Sequence, residues 1–401
     1  MGKKAVFCVC AGASLAVAAF LAFGADLSNS VVETGNFLGD IKPAEEGQEI
    51  KAMSGEHTEE IAALPTERNS KMANPPEKVN ALYATIWSAS SASKIDYLLG
   101  LIKETEANAL VIDIKDFSGN IAYKTEDPEI TKYGTESPII KDISALVDKL
   151  HSQNVYAIAR VVVFQDPSLA KSRPDLAIKN AKTGALWLDN KDLSWVDPAS
   201  EEVWKYNERI AQNAFAKGFD EVNFDYIRFP SDGPLADMSF PFHNGERTKK
   251  ETIKDFFIHL RESLKGEVIS ADLFGLVTSA SDDMGIGQYL EDAYGNFDFL
   301  CPMVYPSHFA SGFIGYKNPA AYPYEVVKYS GERAEGRISA LVPEGEKPKS
   351  KLRPWLQDFN LGAAYGENEI KLQIKAVAET SDAGWMIWDP KNNYTKQGLS
   401  E

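Results

Sequence analysis

Carboxylates in phase with a β-strand are the feature of this sequence with the clearest chemical consequence. In the run 219–229, a strand period of two puts Val222 and Phe224 on one face and Asn223 and Asp225 on the other. In the run 268–274 it puts Ile269, Ala271 and Leu273 on one face and Ser270 and Asp272 on the other. Adjacent strands lie about 4.8 Å apart, so Asp225 and Asp272 on neighbouring strands can flank one bond of a bound molecule. Two carboxyl groups so placed suit glycosidic-bond hydrolysis, with one ionised beside the anomeric carbon and the other protonated beside the leaving oxygen. Mutual repulsion and partial burial raise one pKa and keep that group the acid. Asp225 is therefore the candidate nucleophile and Asp272 the candidate acid/base. The competing structural reading makes Asp225 the partner of Arg160 or Arg228 in an ion pair.

Other polar and aromatic residues end the remaining β-branched runs and are the candidate substrate-binding groups. They are Asp113 and Lys115 in the second run, Arg160 in the third, Asn223 and Arg228 in the fourth, and Tyr305 and His308 in the sixth. Trp355, Gln357 and Asp358 follow in the seventh and Trp388 in the eighth. Asp358 is a second candidate for the acid. Arg160 and Arg228 are suited to orienting a carboxylate through charge-assisted hydrogen bonds. Trp87, Trp195, Trp355, Trp388 and Tyr305 offer flat apolar faces for sugar rings, or else pack the core. Asp113 and Asp116 lie close in sequence, but carboxylates alone do not define a metal site. The sequence has no His-Glu-x-x-His, no Cys-x-x-Cys and no P-loop, so no metal and no cofactor is expected.

These groups need a scaffold that gathers strand ends. From Lys78 onward, short β-branched runs alternate with helical stretches. The runs are 79–87, 109–115, 155–164, 219–229, 268–274, 297–304, 352–359 and 385–388. The helical stretches are 93–106, 139–153, 201–217, 248–265, 323–334 and 367–380, with 331–351 read as a charged surface loop. About eight such strand–helix units close a (β/α)8 barrel, an α/β fold whose active sites lie at the C-terminal ends of the strands. The rival, a doubly wound sheet, carries a Gly-rich turn after its first strand, and none follows Trp87. The barrel is assigned to 77–395.

Before it stand two other segments. Residues 1–25 combine Lys3 and Lys4 with an apolar run and read as an export signal or an uncleaved membrane anchor. Residues 26–76 are acidic and rich in Glu, Ser, Gly and Pro, a composition that reads as a disordered linker. The expected location is extracytoplasmic, secreted or anchored to the membrane. The formal net charge of −16 argues against a nucleic-acid partner and suits a neutral carbohydrate. Cys8 and Cys10 sit in the N-terminal run, so its removal leaves Cys301 alone and no disulfide to form.

The stretches ALVIDIKD (109–116), FDEVNFDYIRFP (219–230), SADLFG (270–275), CPMVYP (301–306), PWLQD (354–358) and GWMIW (384–388) resemble a bacterial barrel family, the "putative glycosyl hydrolase domain" family. The resemblance spans about 78–394 and implies a hydrolase distantly similar to the α-amylase superfamily. In that superfamily the fourth-strand aspartate is the nucleophile, which matches Asp225. Its fifth-strand acid is usually Glu, where this chain has Asp272, and a seventh-strand Asp corresponds to Asp358. The segment FDEVNFDYI also resembles the chitinase strand-four motif, but the catalytic Glu position holds Ile227 and an Asp position holds Asn223, which disfavours that mechanism. The expected activity is hydrolysis of an oligo- or polysaccharide by an exported enzyme. A non-catalytic carbohydrate-binding barrel tethered at the cell surface is the alternative.

Overall fold

The computed structural model describes residues 70–400. The signal or anchor segment and residues 26–69 of the linker lie outside the described residues. Among the described residues no helix is long and apolar enough to cross a membrane.

Eight parallel strands form the centre: β1 (Val79–Ala84), β2 (Ala109–Lys115), β3 (Tyr156–Val162), β4 (Glu221–Asp225), β5 (Val268–Phe274), β6 (Phe299–Met303), β7 (Trp355–Gln357) and β8 (Gly384–Trp388). Each pairs with the next. The pairing of Met303 with Trp355 joins β6 to β7, and that of Val79 with Gly384 closes β8 on β1. The sheet is thus a closed barrel, as the alternation of runs implied.

Apolar residues divide by strand parity into two cores. Val79, Ala81, Ala109, Val111, Tyr156, Ile158, Cys301, Trp355 and Met386 fill the barrel. Leu82, Leu110, Ala157, Val222, Phe224, Ile269, Ala271, Leu300 and Ile387 face the surrounding helices. Those helices are α1 (Ala92–Glu104), α2 (Ile143–His151), α3 (Glu201–Ala216), α4 (Lys249–Ser263), α5 (Pro323–Ser339) and α6 (Glu367–Ala378). Side-chain caps start four of them: Ser91, Asp142, Ser200 and Thr248, the last in a capping box with Glu251. Between β5 and β6 the connection holds only a 3-10 turn, Gly275–Thr278, and a short helix, Leu290–Ala293.

Three expectations from sequence are corrected. The first run ends at Ala84, because Thr85 accepts a hydrogen bond from the Ser88 N–H (3.2 Å) and caps a short helix, which leaves Trp87 68% exposed. The seventh run breaks at Arg353-Pro354, where proline offers no N–H to a ladder, into Lys351–Leu352 and β7. The stretch read as a loop from 331 is helical as far as Ser339. Gly331 does not end α5 but allows close contact with the segment after α6. A Cβ there would lie 2.4 Å from Thr380 Oγ1. Gly331→Ala is therefore expected to lower stability by about 1–3 kcal/mol despite alanine's better helix propensity. Urea unfolding checks this, and a stabilised variant would show that the contact relaxes freely.

Residues 70–76, the end of the expected linker, lie against the N-terminal end of the barrel. The Met72 N–H donates to Asp220 Oδ1 (2.7 Å), and Lys71 pairs with Glu267. This is the end opposite the C-terminal ends of the strands.

Candidate functional site

The site grows from Arg160, the inward residue of β3 in register with Asp113 on β2 and Asn223 on β4. Its Nη1 donates to Asp113 Oδ1 (2.6 Å), its Nη2 donates to Asp225 Oδ2, and its Nε lies 3.5 Å from Asp272 Oδ2. One guanidinium therefore touches carboxylates from three strands. Asp225 Oδ1 also accepts the Tyr226 N–H (2.5 Å). Tyr226 has a left-handed backbone (φ 52°), so the chain turns sharply just after Asp225.

Asp272 stands on the neighbouring strand and is 1% exposed. Its Oδ1 accepts from Asn223 Nδ2 (2.9 Å) and Trp355 Nε1 (2.6 Å). Burial, and then the charge of Asp225, push its pKa up to about 8, against the opposing pull of Arg160 and these two donors. Asp113 is also raised, by burial, with Arg160 and the Tyr83 hydroxyl opposing. Tyr83 donates to Asp113 Oδ2 and stays protonated, because burial and the Asp113 charge hold its pKa well up. Beneath this layer lies a polar floor. Ser270 Oγ donates to Glu221 Oε1 (2.5 Å), Arg353 pairs with Glu221, and Asn223 Nδ2 also reaches Ser270 Oγ (3.0 Å).

Two aromatic groups flank the carboxylates. Tyr305 lies 5.6 Å from Trp388, 5.9 Å from Phe359 and 5.1 Å from His308, ring centre to ring centre. Burial, aided by Lys191, pushes His308 down to about 4, so it is neutral at physiological pH. On the other side Arg228 sits among Trp195, Tyr226 and Phe274.

The structure thus gathers Asp113, Arg160, Asn223, Asp225, Asp272, Tyr305 and Trp355, with Trp388, His308 and Arg228 around them. Three candidates lie elsewhere. Lys115 is fully buried and turned toward α3. It pairs with Asp166 (2.8 Å) and donates to Val162 O (2.6 Å) and Asn207 Oδ1 (3.1 Å). A register shift between Asp113 and Lys115 reverses the expected parity. Gln357 is fully buried and braces the loops, accepting from Ser307 Oγ (2.8 Å) and donating to Phe359 O (2.8 Å). Asp358 follows it on the opposite face and accepts from the Thr395 N–H and Oγ1, both at 2.7 Å, so it anchors the C-terminal segment. Asp116 turns into its own loop, accepting from the Ser118 N–H (2.9 Å) and Oγ (2.6 Å). Tyr83, Glu221 and Phe359 were missed from sequence. The parity rule applied to the first run finds Tyr83, in phase with Val79 and Ala81.

Comparison with curated proteins finds no match. Among solved structures, a hypothetical protein from Ruminiclostridium thermocellum is 36% identical over 51% of this chain and 98% of its own, with a TM-score of 0.45. An exo-β-N-acetylglucosaminidase from Vibrio harveyi is 10% identical, covering 82% of this chain and 55% of its own, with a TM-score of 0.51. A chitobiase from Flavobacterium johnsoniae is 9% identical, covering 81% and 48%, with a TM-score of 0.50. The chain thus spans about half the length of these two enzymes, and at such identities the likeness shows the barrel fold alone. Residues 81–394 match the family described as "Putative glycosyl hydrolase domain", a span from the first barrel strand past the last, and the chain belongs to that family of glycosyl hydrolase barrels.

Proposed function

We propose that the protein cleaves glycosidic bonds of an oligo- or polysaccharide outside the cytoplasm, with Asp225 and Asp272 as its catalytic carboxyl groups. One observation carries the reading: two inward carboxyls on adjacent strands touch one guanidinium yet have different surroundings. The Asp225 oxygens are oriented by Arg160 and the Tyr226 N–H, which aims the carboxylate at an anomeric carbon. Asp272, with its pKa pushed up to about 8, carries a proton at neutral pH. That proton resides on Oδ2, because Oδ1 already accepts two hydrogen bonds, and it passes to the leaving-group oxygen as the glycosidic C–O bond breaks. Trp355 and Asn223 position Asp272, while Tyr305, Phe359 and Trp388 supply sugar-facing aromatic surface. Export rests on the N-terminal segment. The residues leading into the barrel dock at the end opposite these groups, so a tether leaves the mouth unobstructed.

The carbohydrate-binding alternative draws on one observation: Arg160 closes Asp113 and Asp225 into an ion-pair network, which also suits a purely structural role. A hydrolysis screen against α- and β-linked polysaccharides and peptidoglycan, with Asp225→Asn in parallel, separates the two. Turnover is expected in the wild type and absent in the variant. On the substrate found, kcat/KM should fall as pH rises through about 8, where Asp272 loses its proton, and Asp272→Asn should lack that limb. Stability carries the matching sign. The folded pKa of Asp272 is above its unfolded value, so its contribution is fullest below about pH 4 and is lost as pH rises to about 8. Glycan binding with no turnover in either protein would leave the binding barrel as the answer.

A further inference from the structure

Arg228 stands three residues beyond Asp225 and is 6% exposed. Its Cζ lies 4.6 Å from the Phe274 ring centre, 4.9 Å from Trp195 and 5.1 Å from Tyr226. Its one hydrogen bond among the described residues runs from Nη1 to Phe229 O (3.0 Å), although a guanidinium offers five N–H donors. No carboxylate among the described residues pairs with it.

The acidic groups whose charges reach Arg228 are all engaged by other donors. Asp225 is held by Arg160 and the Tyr226 N–H. Asp189 accepts from Trp195 Nε1 (3.0 Å) and from the N–H groups of Lys191 (2.8 Å) and Leu193 (3.0 Å). Asp232 accepts the Asn190 N–H (3.1 Å). Ring contacts offset part of the desolvation of a cation, but they do not satisfy its N–H groups as an oxyanion does. None of the remaining Arg228 nitrogens is among the sealed, unsatisfied atoms of the interior, so they keep an opening to solvent. A largely desolvated cation with spare donors beside the reacting centre is poorly explained as a structural ion pair, because the pair is missing.

We propose that Arg228 recognises an anionic substituent of the glycan, so that the substrate is an acidic sugar whose oxyanion docks within the Trp195, Tyr226 and Phe274 rings. The inference rests on the glycosidase reading and extends it to a substrate class. A net charge of −16 disfavours polyanions at long range. Recognition therefore falls to a short, desolvated contact, where guanidinium–oxyanion pairing is strong and weakly screened.

Calorimetry on the full chain tests the proposal with three probes: oligogalacturonate, its neutral methyl ester, and a phosphorylated or sulfated oligosaccharide. At least one anionic probe is expected to bind on the order of tenfold to a hundredfold tighter than the ester. That ratio should fall to near one in Arg228→Gln and recover in part in Arg228→Lys, which keeps the charge without the fork. Preference for the uronate, or for the phosphate or sulfate ester, identifies the source of the oxyanion. The acid-to-ester comparison in the wild type needs no variant, so a poorly folding Arg228→Gln does not remove the test. Equal affinity for charged and neutral probes overturns the proposal, as does a preference that survives Arg228→Gln. Hydrolysis of neutral glycans without anion preference would overturn this inference alone. Arg228-dependent oxyanion binding with no turnover on any glycan would overturn the glycosidase reading instead.

Discussion

Arg160→Met is expected to lower stability by about 3–5 kcal/mol and to abolish turnover. The Arg160 side chain is 15% exposed and stands between Asp113, Asp225 and Asp272, whose side chains are 4%, 6% and 1% exposed. Without the guanidinium, three carboxyl groups face one another in a site that water barely enters. Each loses its attractive partner and keeps its desolvation, which is why breaking a buried network costs more than the network contributes when intact. The groups relieve the repulsion by taking up protons, so the variant should come closest to wild type at acid pH and fall behind as pH rises. Urea unfolding at pH 5 and pH 8 measures the difference. Adding Asp113→Asn should return part of the stability and none of the activity, because it removes one charge without restoring the orientation of Asp225. A single Arg160→Met variant as stable as wild type at pH 8 would mean that the carboxyls are not held by this contact.

Lys115→Met is expected to cost a similar 3–5 kcal/mol while leaving turnover per folded molecule unchanged. Lys115 and Asp166 are both fully buried and 2.8 Å apart, on the α3 side of β2. Burial pulls the Lys115 pKa down and pushes that of Asp166 up, and each opposes the other's shift. Methionine fills most of the volume but leaves a buried carboxylate without a cation. Asp166 also accepts the Leu169 N–H (2.8 Å) at the start of the helix Pro167–Ser172. Adding Asp166→Asn keeps that acceptor and removes the charge, so the double variant should recover part of the loss. Denaturation, with activity normalised to the folded fraction, is the measurement. A fall in normalised activity would place Lys115 in the site after all. Lys115 and Arg160 are two buried cations of similar expected energetic weight, and only Arg160 faces the candidate catalytic carboxyls.

Period-two alternation within a strand is a local property, and it was enough to bring Asn223, Asp225, Ser270 and Asp272 to the barrel axis and to send Val222, Phe224, Ile269 and Ala271 outward. The alternation of runs and helices likewise implied a closed parallel barrel, since each β-branched run needs cover on its outer face. Which partner an ionic group takes is not local. Asp225 had two arginines within reach on paper, and the order of strands around the barrel decided for Arg160, leaving Arg228 among aromatic rings. By sequence Lys115 shares the phase of Asp113 in its own run, yet a register shift against β3 turns it to α3, because pairing with the next strand overrides the phase of a single strand. Gln357 and Asp358 meet partners in segments about 40–50 residues away, Ser307 and Thr395, set by loop courses that no spacing in the chain encodes. Gly331 reads as a helix end from composition and is a contact point in the fold, because the approach of Thr380 is known only once the segments pack. Composition and periodicity therefore determined the barrel and the inward carboxylates. Tertiary packing decided which cation holds them, which stands among aromatic rings with no carboxylate partner among the described residues, and which candidates only brace the frame, because desolvation and pairing depend on neighbours distant in sequence.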